Sequence, residues 1–207
     1  MKLSKIIPAI LFAWLCVALQ VATAQAPQKA DGKTMTNAAE DWPDESKKAL
    51  MAMVDKYGEP NEMTQSMAIW NYNGPWKRTI VYKEEVDHHF PMPHKDVLEQ
   101  VVNYRAKPEM YDDIVQYDGS VILERTKGEM SARCDKEEMN MLALNLAHEV
   151  NTGKRTVADA RDFFAKTAMA FMKGEKPEYV TRLMFSPEES GTGDKDKPAP
   201  GATPANK

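Results

Sequence analysis

Three of the four histidines in the chain lie within seven residues, in the segment EEVDHHFPMPHKD. His88, His89 and His94 each offer an imidazole nitrogen, which is the commonest protein ligand for transition metals. Asp87 adds a carboxylate oxygen beside them. Imidazole with carboxylate is a ligand set that zinc accepts, and imidazole also suits copper. The segment therefore predicts a metal site for zinc or copper, although its spacing matches no established zinc motif.

The geometry of a strand limits which histidines can share an ion. Successive side chains of a strand point to opposite faces, so only one of His88 and His89 would join His94 without a bend. Met92 could add a soft thioether suited to copper(I), and His148 could complete the site if its helix packs here. The alternative interpretation is a polar loop whose histidines cap neighbouring backbone groups.

The other nucleophilic or catalytic candidates are weak. Cys134 precedes a predicted helix, a position that favours a thiolate. However, Asp135, Glu137 and Glu138 add negative charge nearby, and strand alternation turns Cys134 inward, so we expect a buried, inert thiol. The sequence shows no serine elbow, phosphate-binding glycine loop or dinucleotide fingerprint. These observations favour a non-enzymatic protein and leave open a hydrolase without a recognisable motif.

A second group of residues could form a binding surface. Trp70 and Trp76 flank a predicted hairpin turn, and Met141, Leu144 and His148 lie on the second apolar face of a predicted helix. Large aromatic side chains serve either cores or interfaces. If these five side chains are exposed, we expect them to contact another exported protein; the alternative is core packing.

The N-terminus has the pattern of a secretory signal peptide. Lys2 and Lys5 precede an apolar run over 6–19, and small residues ending at Ala24 fit a cleavage site. The run is shorter than the roughly 20 residues of a membrane span. We therefore predict cleavage near Ala24, a mature chain that begins at Gln25 without a stable membrane span, and a periplasmic or extracellular location.

Composition divides the rest of the chain. Residues 25–41 are predicted to be a disordered linker, 42–186 a single domain, and 187–207 a disordered tail rich in Pro, Gly and Ala. The whole chain has a formal charge of −4 and no basic run, which disfavours nucleic acid as a partner. After cleavage Cys134 is the one cysteine left, so an internal disulfide is excluded.

The pattern of apolar residues predicts an α+β domain. The expected elements are a helix over 44–57, a hairpin of 64–72 with 76–85, a helix over 95–106, a hairpin of 120–126 with 129–135, helices capped by Asp135 and Thr156, and a final strand over 178–185. Together they predict an antiparallel sheet of about four strands, packed by helices and ending in an αα-hairpin.

Taken alone, the sequence favours an exported, non-enzymatic binding or accessory domain. The first alternative is an exported metal-binding protein that uses His88, His89, His94 and Asp87 with zinc or copper. The second alternative is the hydrolase without a recognisable motif.

Overall fold

The protein is described by a computed structural model over residues 39–202; the predicted signal peptide, most of the predicted linker and the last five residues lie outside this range. The described chain is α+β with one antiparallel sheet, as predicted, but the sheet has six strands rather than about four. The strands are β1 (Glu62–Met63), β2 (Met67–Asn73), β3 (Trp76–His88), β4 (His94–Asn103), β5 (Val121–Glu124) and β6 (Glu129–Cys134), in the order β1-β2-β3-β4-β6-β5. The α-helices are α1 (Asp44–Tyr57), α2 (Tyr111–Tyr117), α3 (Glu137–Asn151) and α4 (Val157–Met172).

Local sequence signals account for several of these elements. Gly74 has a φ of 56° in the turn that joins β2 to β3, a conformation that glycine adopts without strain. The Thr156 hydroxyl accepts a hydrogen bond of 3.1 Å from the backbone N–H of Asp159, which confirms the predicted cap of α4. Asp135 does not cap α3, because that helix begins after Lys136 and has no side-chain cap.

The predicted helix over 95–106 is wrong, because most of this segment is the central strand β4. It pairs with β3 on one side and with β6 on the other. Val97 and Val101 point to one face of the strand, and Leu98 and Val102 point to the other; all four are buried. A strand buried on both faces lacks the alternation that identifies a half-exposed strand, so its apolar residues also fit helical spacing.

The predicted final strand over 178–185 is also wrong. The segment contains one 3-10 turn, Glu178–Val180, and then runs irregularly across α3. Asn145 of α3 holds it, because its side-chain amide donates to the carbonyls of Tyr179 and Arg182 at 3.0 and 2.9 Å. A polar side chain of the neighbouring helix thus takes the hydrogen bonds that a partner strand would supply.

The helix α3 lies at the centre of the core. Leu142, Leu144 and Leu146 are fully buried although they point in different directions around the helix. The second apolar face noted in the sequence is therefore covered within this chain, by other helices and the irregular segment. No helix within residues 39–202 is both long enough and apolar enough to cross a membrane.

Contacts of the domain continue past residue 186. The Asn103 amide donates to the carbonyl of Glu189 at 2.9 Å, and the Arg105 guanidinium donates to the carbonyl of Thr192 at 3.1 Å. Thr192 is buried against Gly128, where an added Cβ would lie 2.1 Å from its backbone. The start of the predicted tail thus packs along the turn between β5 and β6.

Candidate metal centre

The hairpin of β3 and β4 brings two imidazoles and a carboxylate together. His88 ends β3 and is paired in register with His94, which begins β4. Asp96 lies two residues after His94, and residues two apart on a strand share a face. The register of one hairpin therefore places His88, His94 and Asp96 side by side.

The distances within this group are short. Nδ1 of His88 lies 3.3 Å from Oδ2 of Asp96, and Nε2 of His94 lies 3.2 Å from Oδ1 of the same carboxylate. One potential ligand atom from each of the three residues lies within 4.8 Å of the other two. The side chain of Asp96 is only 7% exposed, and those of His88 and His94 are 19% and 13% exposed.

Three atoms that face one another in this group lack a hydrogen bond. Within the described residues, His88 Nδ1, His94 Nε2 and Asp96 Oδ1 are buried and have no partner with hydrogen-bond geometry. A buried polar atom without a partner costs about 1–3 kcal/mol. A cation between them would satisfy all three atoms at once.

A second carboxylate lies beside the group. Asp118 is 2% exposed, and its Oδ1 lies 3.9 Å from Nε2 of His88. Within residues 39–202, neither Asp96 nor Asp118 forms an ion pair with a lysine or arginine. Buried carboxylates are usually paired with a cation or bound to a metal, so neutral histidines would leave this cluster short of positive charge.

The titration of these groups reflects the same environment. Burial would raise the pKa of Asp96, but the contacts with His88 and His94 outweigh it and hold the pKa below its ordinary value. Burial would lower the pKa of His94, but contacts with Asp96 and the Met92 carbonyl raise it instead. Burial raises the pKa of Asp118 above its ordinary value, because it outweighs the hydrogen bonds from Ser120, which lower the pKa.

One histidine is oriented by the backbone. Nδ1 of His94 lies 2.8 Å from the carbonyl oxygen of Met92. A carbonyl only accepts hydrogen bonds, so Nδ1 carries a proton, and in the neutral ring the lone pair lies on Nε2. The nitrogen left free by this contact is the one that faces Asp96.

An apolar cavity adjoins the hairpin tip. It has a volume of about 130 Å³ and lies between the hairpin, the end of β6 and α4. His94 and Cys134 line it together with Met139 and Phe164. Cys134 is buried, as the sequence predicted, and this burial raises the pKa of its thiol well above the ordinary value, which favours the protonated form.

Only two of the four predicted metal ligands belong to the group. His89 is exposed. The side chain of Asp87 is 69% exposed and pairs with Lys95 of β4 at 2.6 Å. Asp96 is absent from the predicted ligands, because the helix predicted over 95–106 does not place its side chain beside His94. Had this segment been predicted as a strand, the spacing of His94 and Asp96 would have placed both side chains on one face.

The predicted binding surface is not exposed. Four of its five side chains are buried: Trp70, Trp76, Met141 and Leu144. His148 is partly buried, stacks on Phe185 with ring centroids 4.6 Å apart, and contacts the Tyr104 hydroxyl at 2.9 Å. The four buried residues belong to the core, which was the alternative interpretation.

Searches for relatives return no match: no protein-family model, no curated protein and no solved structure shows significant similarity to this chain. The chemistry of His88, His94 and Asp96 is thus the basis for assigning a function.

Proposed function

We propose that this protein is an exported metal-binding protein that holds a divalent transition-metal ion between His88, His94 and Asp96. The observation that carries the proposal is the set of three buried, mutually facing atoms without hydrogen-bond partners. Export rests on the N-terminal sequence pattern. The proposal therefore corresponds to the first alternative left open by the sequence, an exported metal-binding protein.

The spacing of the side chains fits zinc. Zinc binds imidazole nitrogen and carboxylate oxygen at about 2.0–2.2 Å with tetrahedral geometry, which puts neighbouring ligand atoms about 3.3 Å apart. His88 Nδ1 lies 3.3 Å from Oδ2 of Asp96 and His94 Nε2 lies 3.2 Å from Oδ1, and one ligand atom from each residue lies within 4.8 Å of the other two, so a small movement of the side chains brings all three to a common zinc ion. The ligand types also suit iron(II) or nickel(II), so zinc is the probe rather than a unique choice.

Three protein ligands leave one tetrahedral position for water or a small ligand. This is the arrangement of catalytic zinc sites, whereas structural zinc sites use four protein ligands. The proposed ion would therefore keep one coordination position that these three residues do not fill, and the hydrolase alternative would use that position.

The proposal is tested by zinc titration of the metal-free mature protein, prepared without a histidine tag and followed by isothermal calorimetry. We expect one zinc ion per chain. His94→Ala and Asp96→Ala each remove one ligand and should weaken binding by at least about 100-fold, more than loss of a supporting residue does.

His89→Ala is the matched control, because His89 is the same residue type one position from His88 but is exposed. It should bind zinc with the parent affinity. A parent protein that takes up no zinc, or a His89→Ala variant as weak as His94→Ala, would overturn the proposal.

A further inference from the structure

We infer that Asp118 is a positioning residue that holds His88 with Nδ1 toward the ion, so that the two histidines bind it through different nitrogens. This inference rests on the proposed function. It assigns a role to a buried carboxylate that belongs to neither the hairpin nor the set of three ligands.

Hydrogen bonds from Ser120 fix the position of the Asp118 carboxylate. It follows the last residue of α2, and its Oδ1 accepts hydrogen bonds of 2.9 Å from both the backbone N–H and the hydroxyl of Ser120. With 2% of its surface exposed, it has little access to water. Within the described chain, His88 is the one cationic side chain that lies within ion-pair distance of its carboxylate.

Imidazole chemistry links this carboxylate to the ion. A neutral imidazole carries one N–H and one lone pair, and the hydrogen bond at one nitrogen decides which nitrogen can bind a metal. Metal-binding histidines usually donate their other N–H to a carboxylate or a carbonyl. Asp118 lies on the Nε2 side of His88, whereas Asp96 lies on the Nδ1 side. Once an ion occupies the space between Nδ1 and Asp96, the proton of the neutral ring stays on Nε2, where Asp118 can accept it in a hydrogen bond.

The present separation of 3.9 Å between His88 Nε2 and Asp118 Oδ1 is about 1 Å longer than a hydrogen bond. An ion on Nδ1 fixes the proton on Nε2 and makes it a stronger donor. We therefore expect this contact to shorten when the ion binds.

His94 has the opposite arrangement. The Met92 carbonyl accepts from its Nδ1, so its Nε2 binds the ion. The resulting pair, Nδ1 from His88 and Nε2 from His94, is a specific signature that a cluster of merely structural histidines would not produce.

The first test reads this signature in the parent protein. Long-range ¹H–¹⁵N correlation spectra of the zinc-loaded protein, with ¹⁵N-labelled histidine, identify the protonated nitrogen of each ring. We expect the proton on Nε2 of His88 and on Nδ1 of His94. A zinc-loaded protein with the proton of His88 on Nδ1 would overturn the inference while leaving the proposed function intact.

The second test removes the charge of Asp118. Asp118→Asn keeps the shape and an acceptor for Ser120, and should weaken zinc binding about 10–100-fold, as loss of supporting carboxylates does at other sites. Asp112→Asn is the control, because Asp112 is an exposed acid on the same helix; it should keep the parent affinity.

The outcomes separate the two claims. If the parent binds zinc and Asp118→Asn binds it equally well, the positioning role is overturned. If the parent binds no zinc, the proposed function itself fails.

Discussion

Glu137 is a buried carboxylate whose hydrogen-bond partners are all supplied by the protein. Its Oε1 accepts from the Trp76 indole at 2.6 Å, from the Gln100 amide at 3.1 Å and from the Tyr57 hydroxyl, and its Oε2 pairs with Lys56. Its hydrogen-bonding capacity is therefore filled by groups from α1 and the sheet. Asp96 is buried to a similar extent but faces two nitrogen atoms that lack hydrogen bonds, which is the arrangement expected of the metal ligand proposed here.

Glu137→Gln should destabilise the fold. Burial would raise the pKa of Glu137, but hydrogen bonds from Lys56, Tyr57 and Trp76 outweigh it and lower the pKa. Because the folded pKa is the lower one, the stabilisation is complete above the unfolded pKa of about 4.3 and is lost as pH falls through the folded pKa. We expect urea unfolding at pH 7 to show a loss of about 2–3 kcal/mol.

The same difference should shrink as unfolding is repeated at progressively lower pH below about 4, because the carboxylate is protonated in both states only below its lowered folded pKa. Glu138→Gln changes the neighbouring, partly exposed acid and should stay within about 0.5 kcal/mol of the parent. A loss for Glu137→Gln that is equal at both pH values would contradict this role.

The choice between His88 and His89 shows the limit of residue-level prediction. Alternation along a strand establishes that one of the two joins His94, but not which one. Between the pairs Val81–Leu98 and Val86–Asp96 the chain advances five residues along β3 and two along β4, which marks a bulge. A bulge changes the pairing register, and nothing in the local residue types reveals where it lies.

At the scale of elements, the sequence predicts best where an apolar pattern is bounded by a clear turn or stop signal. The helix over 44–57 and both hairpins were predicted because each combines an apolar pattern with a turn or stop signal. The strand β4 was missed because both its faces are buried. Since Asp96 lies on β4 two residues after His94, this single error concealed the third member of the candidate site.

The hairpin tip depends on α4 for its position. The Phe90 ring packs against Phe164 with centroids 5.3 Å apart, and the guanidinium carbon of Arg161 lies 3.8 Å from the centre of the same ring. Phe90 is two residues from His88 and four from His94. These contacts fix the segment that joins the two histidines.

Phe90→Ala should therefore affect both stability and zinc affinity. We expect a loss of about 1–3 kcal/mol, less than for a fully buried phenylalanine, because the ring is only partly buried. Zinc affinity should fall about tenfold as the hairpin tip loosens, an effect comparable to loss of a supporting residue. Thermal unfolding and zinc titration of the same sample measure both quantities.

Phe163→Ala is the matched control on the same helix. Phe163 contacts Tyr179 and Arg155 instead of the hairpin, at 4.9 and 4.1 Å. It should lower stability without changing zinc affinity. Equal zinc affinities for the two variants would show that α4 does not position the site.

At the scale of the whole molecule, composition describes the chain ends incompletely. The segment after Pro187 has no large apolar residue, which predicted disorder. Nevertheless, Arg105 donates to its backbone carbonyls, and Arg125 pairs with Asp196 at 2.6 Å. Apolar burial is the quantity that composition reports, so hydrogen bonds from the domain to a polar segment are not visible in it.

The proposed ion occupies one position in the whole fold, between His88, His94 and Asp96. Anomalous diffraction at the zinc absorption edge, from crystals of the zinc-loaded mature protein, locates the ion directly. We predict one strong peak per chain, about 2.0–2.2 Å from Nδ1 of His88, Nε2 of His94 and a carboxylate oxygen of Asp96. A peak at His89 or His148, or only weak peaks at surface carboxylates, would contradict the assignment.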